Sequence, residues 1–368
     1  MTQLDKQIEE YKREIHSDSY PMSIGEAVNM YVEGELDIHP EFQRVYRWTP
    51  AQKSKFIESI LLGIPIPSFF VAQRDDGVWD LVDGLQRFST ILSFMGELKD
   101  ENGNQLSPLE LSAGSYLTKL EGATWTNESA ISKPLKLSFR REKIDFKIIK
   151  KESTSDTKYD LFRRLNTGGS SLSEQEVRNC LLLMTNKIFY AQLVELSKNE
   201  DFINTTPLSE DKYLEQYNLE LVVRFLVFYT QDWNIVTSST ISDIGEFLND
   251  EIIDIAQNNI FESINIVSIF TKSFELIGDA LGGDAFRKYY PAEKKHKGGF
   301  SIALFEAISI GIAKNIDFIS KHLTPVQLKE KIESLSTDRE FTSSSGSGVR
   351  GNTRVAKTIP YAIKFFAA

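Results

Sequence analysis

Apolar positions change their period along this chain, and the changes mark out its elements. Phe56, Ile57, Ile60 and Leu61 fall on one helical face. They follow Thr49-Pro50-Ala51-Gln52, a capping box with proline at the first helical position. Gly63-Ile64-Pro65-Ile66-Pro67 ends that helix, and residues 69–73 read as a strand. Asp75-Asp76-Gly77 reads as a hairpin turn into a second strand over 78–82, and a helix runs from Phe88 through Met95. Upstream, residues 1–15 predict a charged, exposed helix and 23–32 a short second one. Residues 97–133 form a less regular insertion, 135–139 and 144–149 predict two further strands, and 159–165 a helix. From Ser173 onward the period is almost wholly helical. Residues 213–229 are apolar around most of the circumference, which predicts a helix at the centre of a bundle. Residues 246–278 and 301–319 continue in that style, 342–351 read as a polar loop, and 353–366 as a closing helix. The pattern predicts an α+β domain over 1–184, then an all-helical domain over 185–368.

Composition changes this picture little, with 41% hydrophobic and 26% charged residues among 368. The balance of 42 basic against 52 acidic residues gives −10, which argues against a protein that coats nucleic acid indiscriminately. It leaves room for a local basic groove. Cys180 is the single cysteine, so an intramolecular disulfide and a cysteine-built zinc site are excluded. Within Cys180-Leu181-Leu182-Leu183-Met184 it reads as a buried thiol. The charged opening residues 1–20 do not read as a secretory signal, and no apolar run reaches membrane-span length. A cytoplasmic chain with no membrane partner is expected.

Four segments could carry chemistry. Asp83-Gly84-Leu85-Gln86-Arg87 sits at a strand-to-helix corner, where a helix start and a guanidinium can hold phosphate and an acid can hold magnesium. The same residues read equally well as Asp83 capping the helix and pairing with Arg87 at i,i+4. Arg44 and Arg47 among Phe42, Tyr46 and Trp48 suit base stacking and a phosphate clamp, or a packed aromatic elbow. Asn166-Thr167-Gly168-Gly169 allows close approach of a ligand to backbone, and is also a usual helix stop. Gly346-Ser347-Gly348-Val349-Arg350-Gly351 spells a dinucleotide fingerprint without the preceding strand, so a loop is expected, with Arg350 and Arg354 in reach of an anion. Residues 140–151 and 287–297 are basic patches, each with a net charge of +4, the second interleaved with Tyr289, Tyr290 and His296. No phosphate-binding G-x-x-x-x-G-K-[ST] loop and no H-E-x-x-H pair occurs.

Three of these segments, with Ile57-Glu58-Ser59-Ile60-Leu61-Leu62-Gly63-Ile64-Pro65-Ile66-Pro67, stand in an order that resembles the N-terminal domain of GmrSD-type restriction proteins. That family's signature is Asp-Gly-Gln-Gln-Arg; here Leu85 replaces the first glutamine, and the resemblance covers roughly 38–179. It implies a ParB/sulfiredoxin-like core with a small mixed sheet that binds a nucleoside triphosphate with Mg2+. Asp83 would then orient the metal or the attacking water, Gln86 and Arg87 would hold phosphates, and Arg44 would neutralise developing charge. Gly84, Gln43, Tyr46, Arg47, Asn166, Thr167 and Gly168 would border the nucleotide. Restriction members link hydrolysis to a nuclease domain with a histidine–asparagine motif, which has no counterpart here. A nucleoside triphosphatase of prokaryotic anti-phage defence, coupled to DNA or to a nuclease or toxin partner, is therefore expected. The alternative is a non-catalytic ParB-like module that senses DNA or nucleotide and holds such a partner. Alanine at Asp83 or Arg87 is expected to abolish hydrolysis with the fold intact.

Overall fold

Strand-forming side chains cluster at Phe69–Gln73 and Trp79–Asp83, and the first unit of the chain is built around that hairpin. The computed structural model describes residues 2–5, 17–38, 48–100, 102–127, 130–150, 174–258, 260–263, 265–346 and 348–367. They fall in two compact units, Met1–Ser171 and Leu172–Ala368. The first unit contains β1 (Ser17–Ser23), α1 (Ile24–Glu33), β2 (Leu36–Asp37), α2 (Pro50–Leu61), β3 (Phe69–Gln73), β4 (Trp79–Asp83), α3 (Leu85–Met95), α4 (Lys133–Arg141) and β5 (Lys143–Ile149). Its five-stranded sheet runs β1-β5-β3-β4-β2. The β1–β5 and β3–β4 pairs are antiparallel, and β5–β3 and β4–β2 are parallel. The expected α+β unit with a mixed sheet is what the chain forms.

Two local readings change. Residues 135–139 belong to the helix α4 instead of a strand, because Pro134 starts a helical turn and only Phe139 is buried. The edge strand β1 carries no hydrophobic alternation, with Met22 its one buried apolar side chain, and Pro21 is tolerated at an edge. Between sheet and α3, Phe69 stacks on Phe146 at 5.3 Å and meets Phe88 edge-on at 5.8 Å. At the far end of the hairpin, Arg74 donates to Asp37 at 2.6 Å and also reaches the buried Asp80, which ties β2 to β4.

The expected capping box of α2 forms: Gln52 N–H donates to Thr49 Oγ1 at 3.2 Å and Thr49 N–H to Gln52 Oε1 at 2.8 Å. The same helix anchors the insertion through Glu58, which is 3% exposed. Its carboxylate accepts from the N–H groups of Leu117 (2.6 Å), Tyr116 (2.7 Å) and Ser115 (3.2 Å). The Leu117 N–H, joined by the other two, holds this carboxyl below the usual carboxylate range.

The second unit is helical, as expected, apart from one small hairpin, Lys288–Tyr290 with Lys295–Lys297. Tyr217–Thr230 is the buried central helix; a break at Gln216, in the left-handed region (φ 54°), separates it from Glu210–Leu214. The polar stretch 342–351 is not all loop. Asp338 caps a helix over Arg339–Ser345, which Phe341 anchors in the core. Within the core, Ile302–Lys314 packs closely on Gly351–Phe366, where a Cβ on Gly311 would lie 3.0 Å from the Ala362 carbonyl oxygen. Glu306, fully buried, accepts from Arg224 at 2.8 Å and from both Nε (3.1 Å) and Nη2 (3.0 Å) of Arg354. The anion that Arg354 binds is therefore internal.

Two outcomes follow from these anchors. Glu58→Gln should speed hydrogen exchange at Ser115, Tyr116 and Leu117 by about tenfold or more, read by NMR or mass spectrometry. Because the native pKa of Glu58 is depressed, its stabilisation is present above the ordinary value of 4.5 and lost as pH falls through the native one; the variant should lack that acid dependence. Glu306→Ala takes the buried carboxylate from Arg354 and leaves Arg224 with Glu220 alone, and urea unfolding should show a loss of about 3–5 kcal/mol in the helical unit.

Candidate functional site

The corner after β4 begins with an irregular ladder. Phe70 faces Asp83 and Val71 faces Leu81, so a bulge lies at the end of the hairpin. Such a bulge re-aims the side chain that leaves the sheet. The chain then turns through Gly84 at φ 100°, and α3 starts with the Phe88 N–H donating to the Gly84 carbonyl at 2.8 Å. A Cβ at position 84 would collide with the Phe69 ring and lie 3.1 Å from Arg87 Nη2. Only glycine fits there. Gly84 thus occupies the N-cap position that one of the two readings gave to Asp83, and its missing side chain caps nothing.

Asp83 turns to Arg87 instead. Arg87 Nη2 donates to Asp83 Oδ2 at 3.1 Å and to the Ser68 carbonyl at 3.2 Å. Its Nη1 donates to the Ser68 carbonyl at 3.2 Å and to that of Pro67. The guanidinium carbon lies 4.7 Å from the Phe69 ring centroid, and the residue is 8% exposed. Burial pushes the Arg87 pKa down, and the Asp83 carboxylate opposes that shift. The i,i+4 pair is real, and Arg87 faces inward. The Asp83 side chain stays 23% exposed, and its Oδ1 accepts no hydrogen bond among the described residues.

The corner lies inside residues 24–183, which match the family described as GmrSD restriction endonuclease, N-terminal domain. Residues 24–183 are a GmrSD-type N-terminal domain. That membership points to a restriction-type defence protein. No curated protein and no solved structure matches the chain.

Within the GmrSD-type domain, the Trp48 N–H donates to Gln86 Oε1 at 3.2 Å, and the Trp48 ring meets Phe56 edge-on at 5.4 Å. Trp48 is thereby held at the corner. Gln43, Arg44, Tyr46, Arg47, Asn166, Thr167 and Gly168 themselves lie outside the described residues. Asp83, Gly84, Gln86 and Arg87 are brought together as expected from their spacing. Among the described residues no cluster of three or more His, Cys, Asp or Glu forms a ready metal cage. Sequence reading missed the Pro67 and Ser68 carbonyls, because backbone acceptors leave no side-chain signal; Pro65 and Pro67, which hold that segment extended, were the available hint. A groove of about 710 Å³ opens elsewhere, beside Tyr20, Glu26, Trp79, Arg140 and Arg141, and none of the expected site residues lines it. Among the described residues no helix is long and apolar enough to cross a membrane.

The expectation that alanine at position 87 spares the fold does not survive this geometry. Arg87→Ala leaves Asp83 and two backbone carbonyls without their donor, and urea unfolding should show a loss of about 3–5 kcal/mol. Gly84→Ala, which adds a left-handed non-glycine residue and a clash, should lose about 2–4 kcal/mol in the same measurement.

Proposed function

We propose that the GmrSD-type domain binds a nucleoside triphosphate at the corner between β4 and α3 and hydrolyses it, as the nucleotide-responsive part of a prokaryotic restriction or anti-phage system. The observation that carries this reading is the Asp83 carboxylate, pinned by buried Arg87 through Oδ2, open at Oδ1 among the described residues and partly exposed. A carboxylate held in one orientation can direct an attacking water without reorganising during the reaction. One open carboxylate oxygen also suits magnesium, which takes one or two carboxylates and completes its octahedron with water and nucleotide phosphates. When bound, Mg2+ would neutralise charge on those phosphates.

Arg87 is then a positioning residue: it fixes Asp83 and the start of β3 and does not itself reach phosphate. Gln86 and the first turn of α3, whose N-cap residue brings no capping side chain, border the phosphates. Arg44 and Arg47 neutralise charge developing on the transferred group, and Tyr46 stacks the base. Gln43, Asn166, Thr167 and Gly168, which lie outside the described residues, are the further candidates to border the nucleotide. Nucleotide state would pass to DNA or to a nuclease or toxin partner.

The inward commitment of Arg87 and the leucine at position 85 favour a second reading, a non-catalytic nucleotide or DNA sensor. Phosphate release from ATP and GTP with Mg2+ separates the two. Asp83→Asn, which keeps the shape of the side chain, should lower the rate about a hundredfold or more while nucleotide binding by calorimetry survives. Nucleotide binding without release by the wild-type chain would establish the sensor instead.

A further inference from the structure

The basic patch at 287–297, read from sequence as part of a helical region, is a two-stranded hairpin with two unlike faces. Its register pairs Lys288 with Lys297, Tyr289 with His296 and Tyr290 with Lys295. Alternation along each strand then puts Lys288, Tyr290, Lys295 and Lys297 on one face and Tyr289 and His296 on the other. The second face is anchored. His296 Nε2 lies 3.1 Å from Glu333 Oε1 on the helix Pro325–Thr337, and its Nδ1 lies 3.3 Å from the Arg287 carbonyl oxygen. Tyr289 packs against His296 at 5.0 Å.

The first face is exposed. Tyr290 is 39% accessible, and the ammonium groups of Lys288 and Lys297 lie 5.6 and 5.7 Å from its ring centroid. Lys297 also reaches Glu293, while Lys288, Lys294 and Lys295 pair with no carboxylate among the described residues. Like charges directly opposite in a ladder destabilise it, and Lys288 faces Lys297. Edge protection would call for charge along the rims of the ribbon; these lysines share one face with an aromatic ring. The other basic patch behaves differently, since Lys147 donates to Ser19 at 2.8 Å and Lys150 pairs with Asp18 at 3.2 Å.

We propose that this hairpin is a duplex-DNA-contacting ribbon, with Lys288, Lys295 and Lys297 on phosphates and Tyr290 between them. Two strands about 4.8 Å apart fit a major groove about 12 Å wide. On a chain of net charge −10, so local a cationic face favours a groove-sized footprint over general coating. The proposal stands apart from the nucleotide reading, and a chain that hydrolyses nothing would still carry the ribbon.

The test is fluorescence anisotropy of the full chain with a labelled 30-base-pair duplex across a salt series, beside a single strand of equal length. The wild type should bind the duplex more tightly than the single strand. The triple variant K288Q/K295Q/K297Q should bind at least about tenfold more weakly, with a salt slope shallower by about 2–3, near 0.9 for each phosphate no longer neutralised. The matching triple lysine-to-arginine variant should bind as the wild type does. Unchanged affinity and slope in the glutamine variant would overturn the proposal, as would duplex binding no tighter than single-strand binding.

Discussion

The buried guanidinium of Arg87 is the constraint on which the corner depends. It joins the Pro67–Ser68 approach to β3, about twenty residues upstream, to the Asp83 carboxylate at the end of β4 and to its own helix. A guanidinium can do this because its donors form a rigid planar fork, which a lysine ammonium lacks. Its cation also lies over the Phe69 ring, the same ring that excludes any side chain at position 84. Glycine, aromatic and arginine are therefore one packing solution. The left-handed turn lets the helix start close against β3, and the arginine satisfies the carbonyls that this close approach buries.

That solution has a chemical consequence for the acid. A free aspartate at a strand end rotates and exchanges hydrogen bonds with water. Asp83 has one oxygen committed to Arg87 and the other open among the described residues. The first turn of α3 also holds Gln86, whose side chain accepts from the Trp48 backbone. Position and orientation are thus set by packing before any ligand arrives, which is the condition for electrostatic preorganisation. Glu58 shows the opposite outcome for a carboxylate in the same unit. It is buried and both of its oxygens accept from backbone, three N–H groups in all, so it organises the insertion.

What was legible in the sequence follows from how local each cause is. The box at Thr49–Gln52, the hairpin over 69–83 and most of the central helix, expected over 213–229 and formed over 217–230, are written in neighbouring residues. Residues 135–139 misled because a five-residue apolar alternation also fits a short amphipathic helix, and Pro134 decided between them. The strand β1 and the hairpin 288–297 carry almost no apolar alternation; pairing partners make them strands. At the site, the residue types were readable but their directions were not. Asp83 and Arg87 are four apart in any helix-start reading, whereas the carbonyls that turn Arg87 inward lie some twenty residues upstream.

Direction decides which charged residues are open to a ligand. Arg87 and Arg354 both read from sequence as hooks for an external anion, and both bind internal groups: backbone carbonyls with Asp83 in one case, buried Glu306 in the other. A buried arginine without such partners would carry a large desolvation cost, so inward ones are paired by necessity. Lysine on a solvated strand carries no such requirement, and its ammonium can stay unpaired beside like charges at modest cost. Among the described residues, groups open for binding therefore include one oxygen of an aspartate in the first unit and a lysine–tyrosine face in the second. An anion arriving at the first meets a carboxylate unless a cation comes with it, which fits a metal-bound phosphate and not a bare one. At the second it meets three ammonium groups and an exposed ring, which fits a polyanion with no metal at all.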